Sequence, residues 1–140
     1  MTTAAPLSIA HVLLTRRFAG TERHAVELAN AQAEEGHDVT LILRQAGAED
    51  RPDAIAHRVS KDVRVIVVGD LLSSWRARRA LKKLRPDIAH AHLSGGSRAL
   101  KGWRDAAAKR IATLHIRYKP QQHEGLDGLI AIAPWQFADM

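Results

Sequence analysis

The chain has 140 residues, 46% apolar and 26% charged, the profile of one globular domain with enough material for a core. It has no cysteine, which excludes a disulfide framework and thiolate chemistry, and no apolar run near the roughly 18 residues of a membrane span. The formal charge is +6, and six of the 21 Lys/Arg (Arg76, Arg78, Arg79, Lys82, Lys83, Arg85) stand in one acid-free segment, 73–86; without them 15 basic residues face 15 acidic ones.

In chain order, "MTTAAPLSIAHVLL" has no basic n-region, so its apolar run 7–14 reads as a strand and not as a signal peptide. Nothing addresses the chain elsewhere, so the default location is the cytoplasm. A loop follows, then a helix with Thr21 as N-cap, Glu22 in the first turn and Ala25, Leu28, Ala29 and Ala33 at helical spacing, stopped at Gly36. "DVTLILR" (38–44) is a second strand, and the polar, patternless 45–62 is a loop or short irregular helix. "VRVIVVG" (63–69) has the continuous hydrophobicity of a strand covered on both faces. In the basic segment, Ala77, Ala80, Leu81 and Leu84 form the apolar stripe of a helix that Pro86 ends, with the six cations on the other side.

"DIAHAHL" (87–93) is a strand, and "SGGSRALKGWRDAAAK" begins with a turn and continues as a helix. "RIATLHI" (110–116) and "LDGLIAIA" (126–133) are strands, and Pro134 takes the first position of a final helix. Strands alternating with helical segments predict an α/β fold, a Rossmann-like, doubly wound parallel sheet in a single domain. Ligands of such sheets bind beyond the carboxyl ends of the strands, here residues 15–21, 69–73, 92–97 and 115–119.

Three of these places carry candidate chemistry. "FAGTE" (18–22) lies between a strand and a helix N-terminus, where free amides hold phosphate or carboxylate groups; its bland alternative is a tight turn that needs Gly20. It is neither a G-x-G-x-x-G fingerprint nor a Walker A loop, which argues against nicotinamide and P-loop enzymes. His90 and His92 have H-x-H spacing, but a zinc site needs further ligands and only Asp87 is near, so metal is set aside. His90 then reads as core, and His92, nearer the strand's exit, as a ligand-facing residue. His115, at the end of the next strand, is either a core histidine or one that hydrogen-bonds a substrate hydroxyl near neutral pH. No G-x-S-x-G elbow supports a serine triad. The basic helix is a solvated face, a contact with anionic lipid head groups, or a nucleic-acid surface; 4% aromatic content and the lack of a recognition motif count against the last.

The ordered set "IAHVLLTRRFAGTERHAVELANAQAEEGHDVTLIL", "LRPDIAHAH", "IATLHI" and "LIAIAPW" resembles the N-terminal half of the retaining glycosyltransferases of family 4, which have the GT-B fold. The resemblance covers nearly the whole chain and implies one domain, 1–140, on the acceptor side of a cleft. The nucleotide-sugar donor would be held by a second domain bearing an E-x7-E signature, which the sequence lacks; the domain itself would be incomplete at its C-terminal end. By the same resemblance Ala19 and Gly20, with Thr21 and Glu22, form the loop near the donor phosphates and acceptor, although Ala19 departs from the family's Gly-Gly. His92 matches the second histidine of H-x-H and, with Ser94, Gly95 and Gly96, would line the acceptor side. His115 matches the histidine at the reaction centre. Arg76, Arg79, Lys82 and Lys83 become membrane-facing candidates, placing the protein peripherally on the inner face of the membrane.

The expected activity is therefore transfer of a sugar from a nucleotide-sugar substrate to a glycan or glycolipid acceptor, with no cofactor and no metal, and with little or no activity in the isolated chain. Expected partners are the acceptor, a donor-binding domain or subunit, an anionic membrane surface, and a second copy of the chain through an exposed cleft face. The competing readings are a non-catalytic binding or scaffolding module and one subunit of a split glycosyltransferase. Nucleic acid is disfavoured.

Overall fold

The computed structural model describes residues 5–115 and 117–136. Among these residues the strands and α-helices follow one another as β1 (Ser8–Leu13), α1 (Gly20–Glu34), β2 (Asp38–Arg44), β3 (Arg64–Val68), α2 (Ser73–Leu84), β4 (Ile88–His92), α3 (Leu93–Lys101), β5 (Lys109–Leu114), α4 (Pro120–His123) and β6 (Gly128–Ala131). All neighbours in the sheet are parallel, in the order β3-β2-β1-β4-β5-β6, so the predicted Rossmann-like, doubly wound single domain is what forms. No helix among the described residues is long and apolar enough to cross a membrane.

Two cores sandwich the sheet. On one face Ala25, Val26 and Ala29 of α1 pack on Leu13, Val39, Leu41 and Leu43. On the other, Ala77 and Leu81 of α2 and Ala99 and Leu100 of α3 meet Ala10, Val12, Ala89, Ala91 and Ala112. The second face is lined by alanines, so its helices lie close to the strands. Gly96 shows how close: a Cβ there would stand 2.5 Å from the Val12 carbonyl oxygen, a distance only glycine permits.

Several predicted details change. The N-cap of α1 is Ala19, not Thr21; Glu22 reaches back so that its carboxylate accepts from the Ala19 N–H at 3.0 Å, closing the helix start from the helix side. Gly20 is not demanded by the turn, because a Cβ there would meet nothing within 4 Å. At the other end Gly36 does stop the helix, at φ +96, with its N–H donating to Ala33 and that of His37 to Gln32. The 45–62 segment contains two short 3-10 turns, Gln45–Ala48 and Ala56–Arg58, as an irregular segment should.

β3 is an edge strand with Val67 48% exposed, not one covered on both faces; an apolar β-branched run cannot tell a central strand from an edge. In α2 the apolar stripe is as predicted, but Arg78 leaves the cationic face and donates to the carbonyls of Ala99 and Arg98, both at 3.1 Å, at the end of α3. Ser94, Gly95 and Gly96 are not a turn. Helix α3 starts at Leu93, directly off β4 with φ +65, and stops at Lys101 rather than running on to 109. The one-turn α4 was not assigned from sequence. Pro134 precedes helical residues 135 and 136, and the rest of that expected helix lies outside the described residues.

Candidate functional site

β1 and β4 are adjacent, yet the helices that follow them cover opposite faces of the sheet, so the strand order reverses between them, the position beside which sheets of this class bind ligands. The register sets His11 opposite His90, Leu13 opposite His92, and His92 opposite Thr113. Because strand side chains alternate, His11, His90, His92 and Thr113 all project to the face that α1 covers, and His115 follows two residues after Thr113. Helix α1 lays His24, Leu28 and Gln32, spaced four apart, along one row.

The result is a row of imidazoles. His90 stacks on His92 with centroids 4.3 Å apart and planes at 17°, His11 lies 5.2 Å from His92, and His115 lies 5.5 Å from it on the other side. His24 meets the His115 ring edge-on at 5.3 Å, which ties the first turns of α1 to the end of β5. Gln32 Oε1 is 2.6 Å from His11 Nε2, His11 Nδ1 is 3.0 Å from His92 Nε2, and His92 Nδ1 is 3.3 Å from His115 Nε2. His90 Nε2 bonds the Thr113 hydroxyl at 2.6 Å.

Burial governs the charge state of this row. Loss of solvent holds His11 down to about 4, against the opposing effect of its bond to Gln32, with His24 lowering it further. His90 is pushed to about 3 by burial and then by His11, His24 and His115. His92 lies well below the ordinary value for the same reasons. At neutral pH these rings are uncharged and each carries one proton. His115 is also lowered, first by burial and then by His24, with the Glu22 carboxylate pulling the other way, but it remains half-exposed.

His11, His90 and His92 form one group whose donor atoms lie within 4.8 Å of one another. Both nitrogens of His11 and both of His92 take part in hydrogen bonds, as does Nε2 of His90, so a metal ion held by this set would have to displace them.

Of the residues singled out from sequence, His92 is a correction: it is fully buried between His11, His90 and His115 and does not line a cleft. The strand exit comes one residue later, and α1 covers that face. Gly96 is likewise buried, against β1, while Ser94 and Gly95 are half-buried and the Gly95 carbonyl accepts from Ser74 Oγ. Ala19 and Gly20 are exposed, Thr21 is half-buried, and Glu22 is buried beneath them. The start of α1 is thus exposed at Ala19 and Gly20, while Glu22 in its first turn acts electrostatically on His115 and the His24 ring touches it. Phe18 anchors this loop: its N–H donates to Asp53 at 2.7 Å, and the Arg58 guanidinium lies 4.0 Å from its ring centre. His11, His24, Gln32 and Thr113 were missed. Their signal was the pair of histidine-bearing strands, but sequence does not say which strands are neighbours.

On the far side, Arg76, Arg79 and Lys83 line an open groove of about 540 Å³ between α2 and the edge strand β3, and Lys82 is exposed beside it. Leu71, Leu72 and Trp75, at 76, 62 and 46% exposed, project at the same end of α2, with the Arg79 guanidinium 5.1 Å from the Trp75 ring centre.

A comparison with family models matches residues 18–138 to the model described as Glycosyltransferase Family 4. No match was found among curated proteins.

Proposed function

The chain belongs to glycosyltransferase family 4, and from that membership we propose that it forms the acceptor-side, N-terminal half of a retaining GT-B enzyme. The reaction moves a sugar from a nucleotide diphosphate to a hydroxyl of a glycan or glycolipid: the anomeric carbon's bond to the diphosphate oxygen breaks, a bond to the acceptor oxygen forms with the same configuration, and the hydroxyl's proton passes to the departing diphosphate. The observation that supports this reading is the edge-on contact at 5.3 Å between half-exposed His115, after β5, and His24 of α1, the helix whose start at Ala19 and Gly20 is exposed. The α1 amides around Gly20 and Thr21 suit a phosphate, and His115 suits a hydroxyl of the sugar being transferred or of its acceptor. No metal or other cofactor enters this scheme.

The test is a transfer assay with a panel of nucleotide sugars. The purified chain alone should give little or no turnover, and a partner supplying a donor-binding half should restore it. In that reconstituted enzyme His115→Ala should lower kcat/KM by roughly 100-fold or more. Robust turnover by the chain alone, or full activity of the variant, would overturn the assignment.

A second reading concerns location. Exposed Leu71, Leu72 and Trp75 beside Arg76, Arg79, Lys82 and Lys83 place apolar anchors next to cations, the arrangement of a helix that rests on an anionic membrane surface. The protein would then be peripheral, on the cytoplasmic face of the membrane. Sedimentation with vesicles should rise with anionic lipid content and fall with salt and in Lys82→Glu/Lys83→Glu; binding indifferent to all three would sink this idea.

A further inference from the structure

The row from Gln32 to His115 has a direction. A neutral imidazole carries one proton, so a ring that uses both nitrogens donates at one and accepts at the other. Gln32 offers its carbonyl oxygen to His11, and 2.6 Å is short for N–H···O and too short for a nitrogen-to-nitrogen contact. His11 therefore carries its proton on Nε2, and its bare Nδ1 accepts from His92 Nε2–H at 3.0 Å. His92 Nδ1 is then bare in turn and accepts from His115 Nε2–H at 3.3 Å. What remains is His115 Nδ1, a lone pair on the half-exposed ring.

The geometry points to Gln32 as a positioning residue that sets the tautomer of His115 through His11 and His92, so that Nδ1 of His115 is presented as a hydrogen-bond acceptor to a substrate hydroxyl. Its use in transfer rests on the reading of His115 as a reaction-centre residue; the tautomer itself does not.

Other features of the site hold this polarity in place. His11 and His92 are fully buried, so water does not compete for their nitrogens. Stacking of His90 on His92, with His90 Nε2 tied to Thr113, keeps the His92 ring in the plane that reaches both neighbours. Burial keeps His11, His90 and His92 neutral near pH 7, and a neutral row is the only kind that carries a defined direction. The remaining titratable groups around His115 are His24, edge-on from α1, and Glu22 two residues before it, neither of which takes part in the bonds of the row. A substrate hydroxyl donating to Nδ1 would strengthen the Nε2–H bond to His92, so binding and the row reinforce each other.

The measurement is the tautomer of each histidine in the full 140-residue chain, read from ring nitrogen shifts of uniformly ¹⁵N-labelled protein at pH 7. His11, His92 and His115 should all be in the Nε2–H form. An Nδ1–H form at His11 or His92 would overturn the proposal. In Gln32→Met, similar in length and without the carbonyl, His115 should become a mixture of tautomers, while Gln32→Glu, which can only accept, should keep the Nε2–H form. An unchanged His115 in Gln32→Met overturns the role of Gln32. If that variant does not fold, retention of Nε2–H in Gln32→Glu supports the role and its loss refutes it. Since no donor or acceptor sugar is needed, these outcomes are separate from the fate of the transfer assay.

Discussion

Lowering the pH strikes the histidine row directly. In the folded chain His11 is held to about 4 and His90 to about 3, whereas in the unfolded chain both titrate near 6.5. Between those values the unfolded chain binds protons that the native state refuses, so stability is full above pH 6.5 and falls as the pH drops. Each refused proton costs about 1.4 kcal/mol per pH unit. Over the 2.5 units from 6.5 to 4, one histidine removes about 3 kcal/mol and two remove about 7 kcal/mol, against a net stability of about 5–15 kcal/mol for a domain of this size. His92, lowered for the same reason, adds to the slope. Urea unfolding followed by circular dichroism at pH 7, 6 and 5 should therefore show the unfolding free energy dropping by at least about 1.4 kcal/mol per unit. His90→Phe, which keeps an aromatic ring on His92 and removes a titrating group, should reduce that slope by about one proton's share. A stability equal at pH 7 and pH 5, or rising toward acid, would refute the claim that the row is buried and neutral.

Gly96→Ala should cost about 3 kcal/mol in urea unfolding, because the new methyl must displace the Val12 carbonyl or lift α3 from β1. Gly20→Ala, at an open helix start with no neighbour within 4 Å, should instead stabilise by roughly 0.5 kcal/mol; a loss comparable to that of Gly96→Ala would contradict the packing described for both. Arg110 is buried and donates to the carbonyls of Leu100, Trp103 and Gly125, so Arg110→Met should cost about 3 kcal/mol and lower Tm by about 10 °C, seen by calorimetry. An unshifted Tm would mean those carbonyls find other donors.

The amino-acid sequence carries the class of sheet and most of its elements, though not the one-turn α4 or the bounds of α3. Its hydrophobic runs marked all six strands, and the helical spacing of Ala25 and Ala29, with Gly36 after them, marked α1, because periodicity and stop signals are local properties. The pattern did not distinguish the edge strand β3 from a central one, nor show that Leu93 begins a helix, since both depend on what packs alongside. Among the candidate residues, the sequence put His115 at the end of a strand, and the structure has it directly after β5. Tertiary structure alone decided the rest. It brought His11 of β1 against His90 and His92 of β4, 79 and 81 residues away, and laid His24 and Gln32 of α1 over them. It thereby turned an H-x-H pair into a buried row. Which strands lie side by side, and which face a helix covers, follow from the packing of the whole sheet; the residues that become partners across it leave no mark on one another in the chain.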